Sequence, residues 1–233
     1  MIKEVIYKML YALFPRRCEL CGSIVALDIC RCNDCLNLPQ IKGDVCSSCG
    51  CAKSDCNCKK HKNEYKAIIA PYYYKDYAVC CVHRFKFNDY PELSVAMAKD
   101  IAHCVKERYN DIDFDCVTYV PLSKKRFKKR GYNQSQLLAE SIGSEIGVDV
   151  KNLLYKVFDN KSQRTQSHRE RKVNVYGAYD LIDNVDVADK TILLIDDVKT
   201  TGSTLNECAK MLKIYGAKSV YCATFAITMH NKK

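Results

Sequence analysis

Near its C-terminal end the chain contains a strand, a loop and a helix in immediate succession. Residues 192–195 are four consecutive apolar residues, which is typical of a strand buried on both faces of a parallel sheet. From Leu205 the apolar residues recur at helical spacing, and Thr204 with Glu207 predicts a capping box at the helix start. Further strands are predicted over residues 65–74 and 219–228, and amphipathic helices over residues 93–108 and 134–146. Together these elements predict an α/β fold with a doubly wound parallel sheet.

The segment that joins this strand to this helix has the composition of a phosphate site. Its residues are Asp196, Asp197, Val198, Lys199, Thr200, Thr201, Gly202, Ser203 and Thr204. Small hydroxyl residues around Gly202 let backbone amides converge on an anion at the helix N-terminus. Two adjacent carboxylates would repel a phosphate, so we expect them to face sugar hydroxyls or the water shell of magnesium. The segment therefore predicts a phosphorylated ribose as ligand.

A second unusual segment carries six positive charges in the seven residues Lys124–Arg130. It follows a predicted strand, residues 117–122, that Pro121 closes. A charge run is usually a solvated face or a nucleic-acid contact. Because this one leaves a strand end of the same predicted sheet, we interpret it as a loop near the phosphate site, where it would stabilise pyrophosphate. Nucleic-acid binding is the alternative, and both can hold.

Ten of the 16 cysteines lie between Cys18 and Cys58. A first group, Cys18, Cys21, Cys32 and Cys35, has the C-x2-C, x10, C-x2-C spacing of a zinc ribbon with a closed tetrahedral shell. A second group begins with Cys46 and Cys49, for which we favour Cys56 and Cys58 as partners and keep His61 or Cys51 as substitutes. Pairing of Cys18 and Cys21 with Cys46 and Cys49 is an open alternative, and Cys30 is expected to be a spare thiol.

Composition excludes several classes of protein. Apolar residues make up 48% and charged residues 27%, near globular averages, so a disordered chain or a membrane bundle is not expected. No signal peptide or membrane-spanning segment is predicted, so we expect a reducing cytoplasm in which clustered cysteines bind metal. The net charge of +10 favours polyanionic partners without choosing among them. Residues 1–15 are expected to form an amphipathic helix that packs on the protein.

Residues 196–204 after the apolar strand resemble the phosphoribosyl-pyrophosphate (PRPP) motif of type I phosphoribosyltransferases. The resemblance implies that Asp196 and Asp197 bind the ribose hydroxyls and that magnesium accompanies PRPP. It also implies that the hydroxyl and glycine residues hold the 5'-phosphate. These are Thr200, Thr201, Gly202, Ser203 and Thr204, with Lys199 adding charge where relatives often have an aliphatic residue.

The basic run, followed by Arg130-Gly131-Tyr132-Asn133-Gln134, resembles the ComF family of competence-associated proteins. That resemblance implies a cysteine-rich zinc module over residues 16–62 and a phosphoribosyltransferase domain over residues 65–233. It also implies Arg126, Lys128 and Arg130 as pyrophosphate contacts, and a mobile loop that carries Arg164, Arg169 and Arg171. Transfer of phosphoribosyl to an unknown acceptor is the first functional hypothesis. The second is a handler of single-stranded DNA that works with competence proteins.

Overall fold

The computed structural model describes residues 11–58, 63–87, 90–157 and 177–229. Most of the predicted N-terminal helix, His61 and the arginines at 164, 169 and 171 lie outside these residues. Residues 11–13 are helical. Among the described residues, no helix combines the length and the apolar character that crossing a bilayer requires.

A parallel five-stranded sheet forms the centre of the protein, in the order β1-β7-β6-β3, with β2 also paired to β7. The strands are β1 Ala67–Ile69, β2 Tyr72–Tyr73, β3 Cys116–Tyr119, β6 Thr191–Lys199 and β7 Ser219–Ile227. An antiparallel pair outside this sheet joins β4 Leu154–Lys156 to β5 Tyr179–Leu181. The predicted α/β class with a parallel sheet is confirmed.

The helices cover both faces of the sheet. They are α1 Asn33–Leu36, α2 Tyr77–Phe87, α3 Leu93–Arg108, α4 Lys124–Arg130, α5 Gln134–Ile146 and α6 Ser203–Ile214. Leu193 and Ile195 of β6 pack in the core that contains α2, α3 and α5, whereas Ile192 and Leu194 pack in the core that contains α6. Successive strand residues therefore point into opposite cores, which explains the uninterrupted apolar run.

Three predictions about the helices and strands are wrong. The basic run is a helix and not a loop, because Ser123 Oγ caps it by accepting a hydrogen bond from Arg126 N (3.3 Å) and Gly131, at φ +77°, ends it. The predicted strand over residues 65–74 is divided at Pro71, which has no N–H to donate and whose carbonyl accepts from Ile41 N (2.9 Å). The third concerns the start of α6.

Helix α6 begins earlier than the capping box predicts. Pairing of β6 with β7 continues through Lys199, so Asp196 and Asp197 lie within the strand and only residues 200–202 connect it to the helix. Gly202 is the N-cap and has no side chain to cap the helix, and Ser203 N donates instead to Thr201 Oγ1 (3.3 Å). Thr204 is therefore the second residue of the helix and not its cap.

The cysteine-rich segment packs directly on the α/β domain. Arg31 donates hydrogen bonds of 2.9 and 3.1 Å to the carboxylate of Asp100 on α3. Tyr73 N of β2 donates to Pro39 O (2.7 Å), and Leu20 and Leu38 are buried in the same core as α2 and α3. The segment and the sheet therefore share one apolar core.

Candidate functional site

The two adjacent carboxylates of β6 are held by side chains from two different helices. Asp197 Oδ1 lies 2.8 Å from Lys86 Nζ of α2. Asp196 Oδ1 accepts hydrogen bonds from Ser135 Oγ of α5 (2.8 Å) and from Asp197 N (2.9 Å). Sequence reasoning gave no role to Lys86 or Ser135, although Ser135 directly follows the Arg130–Gln134 motif, because no local pattern shows which strand a helix side chain will meet.

Burial and the adjacent Asp197 raise the pKa of Asp196 to about 7, and the bond from Ser135 opposes the rise. Taking a carboxylate out of water disfavours its ionised form, and a second negative charge beside it does the same. At neutral pH the Asp196 carboxyl is therefore close to its midpoint. A cation placed beside the pair would favour release of this proton.

The connection after β6 forms a short turn with its hydroxyl groups outward. Gly202 has φ +84°, and a Cβ on it would lie 3.1 Å from Lys199 Cε. Thr200, Thr201, Ser203 and Thr204 are exposed. Because these hydroxyls and the first amides of the 12-residue helix α6 share one end of the sheet, the turn can receive an anion.

Lys199 does not lie among these exposed groups. Its residue is only 3% exposed, and its side chain passes beside Gly202 on the inner side of the turn. Successive side chains of a β strand point to opposite faces, so Lys199 lies on the same face of β6 as the buried Asp197, two residues earlier. A role of Lys199 in adding charge to the phosphate site stays a prediction.

Helix α4 places its basic residues on two faces. The Arg130 guanidinium lies 4.8 Å from the centre of the Phe87 ring and donates to Gln134 Oε1 (2.9 Å). Burial lowers the pKa of Arg130, and the charge of Asp197 opposes that change. Arg126 precedes Arg130 by four residues and so shares its face. Arg130 is therefore close enough to Asp197 to feel its charge, and Arg126 lies on the same face of the helix.

The opposite face of α4 lines a groove with a volume of about 390 Å³. Lys124, Phe127 and Lys128 line it from the helix, and Tyr155 and Lys156 line it from β4. Phe127 is 47% exposed and Tyr155 is 42% exposed. Lys128 therefore lies at the groove and Arg130 on the other face, so the three predicted pyrophosphate contacts, Arg126, Lys128 and Arg130, do not share one face of the helix.

The structure brings together the two favoured groups of cysteines. The sulfurs of Cys18, Cys21, Cys32 and Cys35 lie within 4.8 Å of one another, and so do those of Cys46, Cys49, Cys56 and Cys58. The open alternative, which mixes the two groups, does not match this arrangement. Cys30 is exposed, and Cys51 is buried outside the second group.

Both groups fit a tetrahedral metal ion. Cys21 and Cys32 have sulfurs 3.6 Å apart, as do Cys46 and Cys58, close to the ~3.8 Å that four thiolates about 2.3 Å from zinc would show. Glycines turn the backbone behind each leading pair, with Gly22 N donating to Cys18 O and Gly50 N donating to Cys46 O, both at 2.7 Å. Each cluster could therefore hold one metal ion.

Known proteins resemble the chain over most of its length. A family model described as a phosphoribosyl transferase domain matches residues 95–233. Competence protein ComFC of Bacillus subtilis is 30% identical over 185 residues, which cover 75% of this chain and 74% of that protein. Competence protein F of Haemophilus influenzae is 28% identical over 192 residues, covering 78% and 84%. The DNA utilization protein YhgH of Salmonella typhimurium is 28% identical over 216 residues, covering 88% and 94%.

Proposed function

Because this chain belongs to the ComF family and contains its phosphoribosyl transferase domain, we propose that it binds PRPP with magnesium at the carboxyl end of β6. One observation carries the proposal. The carboxylates and hydroxyls of residues 196–204 and the arginine face of α4 come from two separate parts of the chain and lie at the same end of the sheet. A phosphorylated ribose has groups that complement all three.

Each feature has a chemical role in this proposal. The Asp196 and Asp197 oxygens accept hydrogen bonds from the ribose hydroxyls and supply the oxygen ligands that magnesium prefers. The turn at residues 200–204 donates its amides and hydroxyls to the 5'-phosphate. Arg126 and Arg130 lie toward the pyrophosphate, where planar guanidinium groups match phosphate oxygens.

The same arrangement suits phosphoribosyl transfer. In that reaction an acceptor forms a bond to C1 of the ribose while the bond from C1 to the pyrophosphate oxygen breaks, and the electron pair leaves with pyrophosphate. Magnesium, when bound, neutralises part of the charge on the leaving group. Arg126 and Arg130 stabilise the same charge from the protein side, and the carboxylates fix the sugar so that C1 is presented to the acceptor.

Isothermal titration with PRPP and magnesium tests the proposal. The wild type should bind, and the double variant Asp196→Ala with Asp197→Ala should not. Asp186→Ala is the control, because Asp186 is an exposed carboxylate whose partner is Lys190 four residues away. Absence of binding by the wild type, or equal binding by the double variant, would overturn the proposal.

We propose zinc as the metal of both cysteine clusters. Four thiolates in a closed shell are the donor set of a structural zinc site and leave no position for substrate. The clusters therefore stabilise the fold of residues 16–58, which is poor in other apolar contacts for its length. Their place in the shared core extends that effect to the sheet.

The groove beside α4 supports a second function, binding of single-stranded DNA. Exposed Phe127 and Tyr155 offer faces on which bases can stack, and Lys124, Lys128 and Lys156 offer charge for the phosphates. Relatives named for competence and DNA utilization agree with this class of ligand.

Fluorescence anisotropy of a labelled single strand across a salt series tests this second function. Affinity should fall steeply with salt, and Phe127→Ala or Tyr155→Ala should weaken binding by about 1–3 kcal/mol. Phe14→Ala is the control, because Phe14 is an exposed aromatic residue outside the groove. A flat salt response, or an equal loss in the control, would contradict it.

A further inference from the structure

The turn of the second cysteine cluster is tied to the residues that precede β1. Ser48 lies between Cys46 and Cys49, and its carbonyl oxygen accepts hydrogen bonds from Tyr65 Oη and from Asn63 Nδ2, both at 2.9 Å. Asn63 Nδ2 also donates to Ser48 Oγ at 2.9 Å. The backbone of the turn is therefore fixed by two side chains from one short segment.

The same short segment also reaches the phosphate turn. Glu64 N donates to Asn206 Oδ1 (2.8 Å), and Asn206 N donates to Gly202 O (2.9 Å) in the first turn of α6. Tyr65 Oη lies 3.6 Å from the position that a Cβ on Gly202 would occupy. The phenol of Tyr65 therefore lies between the cysteine turn and the phosphate turn.

Packing around this contact leaves little freedom. Tyr65 is 5% exposed. A Cβ on Gly50, in the same cysteine turn, would lie 2.3 Å from Ile227 Cδ1 and 3.1 Å from Ile68 O. Ile68 N of β1 donates to Ser47 O (3.1 Å). A displacement of the cysteine turn would therefore be transmitted to β1, to the end of β7 and to Tyr65.

We propose that Tyr65 is a positioning residue that couples metal in the second cluster to the affinity of the phosphate turn for PRPP. Metal bound to Cys46 and Cys49 fixes the Ser48 carbonyl, Ser48 orients Tyr65, and Tyr65 supports Gly202 in its left-handed conformation. The inference rests on the proposed PRPP site. Since coupling between two binding events is reciprocal, PRPP should also retain the metal.

The variant Tyr65→Phe removes one hydroxyl and leaves the ring. Ser48 O keeps its bond from Asn63, so no buried carbonyl loses its last partner and the variant should fold. Tyr73→Phe is a matched control. Tyr73 is 6% exposed, and its hydroxyl also ties the cysteine segment, accepting from Ala52 N (3.0 Å) and donating to Asp55 Oδ2 (2.6 Å), but neither of these bonds reaches the phosphate turn.

Three quantities are measured on the full-length, zinc-loaded proteins: zinc content, PRPP affinity by titration calorimetry, and the rate of zinc release to a chromophoric chelator with and without PRPP. We expect PRPP to slow release of one zinc ion from the wild type and from Tyr73→Phe. Tyr65→Phe should keep its zinc, bind PRPP about 5- to 10-fold more weakly, and lose most of the protection, an effect of typical size for coupled sites.

Wild-type PRPP affinity and protection in Tyr65→Phe would overturn the coupling while leaving the proposed function intact. Failure of the wild type to bind PRPP would overturn both, so the two failures are distinguishable. If Tyr65→Phe loses zinc or melts well below Tyr73→Phe, the variant Asn206→Ala is used to test the coupling. It removes the hydrogen bond from Glu64 N to α6 and leaves the Ser48–Tyr65 bond in place. Reduced PRPP affinity with full zinc content supports the coupling in that variant, and unchanged affinity overturns it.

Discussion

Lys86 Nζ of α2 lies 2.8 Å from Asp197 Oδ1 of β6, and this ion pair connects the last turn of a helix to the carboxyl end of the central strand. The Asp197 side chain is 9% exposed and that of Lys86 is 23% exposed. A charge held in such a position needs its partner, because water cannot replace it fully. The pair therefore stabilises the candidate site before any ligand arrives.

Lys86→Met should destabilise the protein by about 1–3 kcal/mol, because it leaves the Asp197 carboxylate without its cation. Urea denaturation followed by circular dichroism measures the change. Adding Asp197→Asn should recover part of the loss, which a double-mutant cycle would show as a coupling energy. Lys106→Met, at an exposed position of α3, is the control for lost charge. Equal effects of the two lysine variants would contradict the role of the pair.

The Asp196 carboxyl should make stability depend on pH. Its pKa is about 7 in the folded protein against an ordinary value of 3.8, so between these values the folded state holds a proton that the unfolded state has released. Stability should therefore fall as pH rises through this window, by roughly 2–4 kcal/mol in total. Asp196→Asn cannot titrate and should not show this part of the dependence.

Denaturant unfolding at pH 5 and pH 8 checks this prediction. The stability of the wild type relative to Asp196→Asn should be lower at pH 8 than at pH 5. A difference that stays constant would show that Asp196 titrates near its ordinary value, and a difference that increases with pH would equally contradict a raised pKa.

Gly202→Ala should weaken PRPP binding and lower stability. The residue has φ +84°, where a side chain is strained by about 1–2 kcal/mol, and the new Cβ would also lie 3.1 Å from Lys199 Cε. Gly147→Ala is the matched control, because Gly147 has φ +72° and open space around it. Thermal melting should show lower stability in both variants, because both carry the backbone strain. Titration calorimetry should show weaker PRPP binding only in Gly202→Ala. Unchanged affinity in Gly202→Ala would argue against a phosphate at this turn.

Metal analysis should find two zinc ions per chain in the wild type and in Cys30→Ser. Cys32→Ser and Cys56→Ser should each keep one ion, since each removes a ligand from a different cluster. The double variant Cys32→Ser with Cys56→Ser distinguishes the two possible groupings of the cysteines. With the grouping in the structure it should hold no zinc at high affinity. Retention of one ion would instead indicate that Cys18 and Cys21 share a metal with Cys46 and Cys49.

Sequence periodicity predicted the long elements well. The helices predicted over residues 93–108 and 134–146 coincide with α3 and α5, and the strand predicted over residues 219–228 differs from β7 by one residue. These segments combine strong apolar periodicity with clear ends, so local and tertiary preferences agree. The short elements between them depend more on tertiary contacts.

The predictions that were wrong or absent have specific physical causes. Charge alone did not show that Lys124–Arg130 is helical, although lysine and arginine favour helix and both capping residues are present. The division at Pro71 depends on a hydrogen bond from Ile41, and the Lys86–Asp197 pair depends on how α2 packs on β6. The spacing of residue types along the sequence does not show which distant segments will be in contact. The residues that support the carboxylates could therefore be found only in the folded chain.

The central claim is that a phosphorylated ribose lies between the carboxylates of β6 and the Arg126–Arg130 face of α4. Calorimetric titration of PRPP and of ribose 5-phosphate, at one ionic strength with magnesium, tests it on two variants that each remove two positive charges. Arg126→Ala with Arg130→Ala should bind PRPP at least 10-fold more weakly, and Lys124→Ala with Lys128→Ala should bind it nearly as the wild type does. Ribose 5-phosphate lacks pyrophosphate, so its affinity should be similar in all three proteins. No PRPP binding by the wild type, or equal losses in the two variants, would contradict the claim.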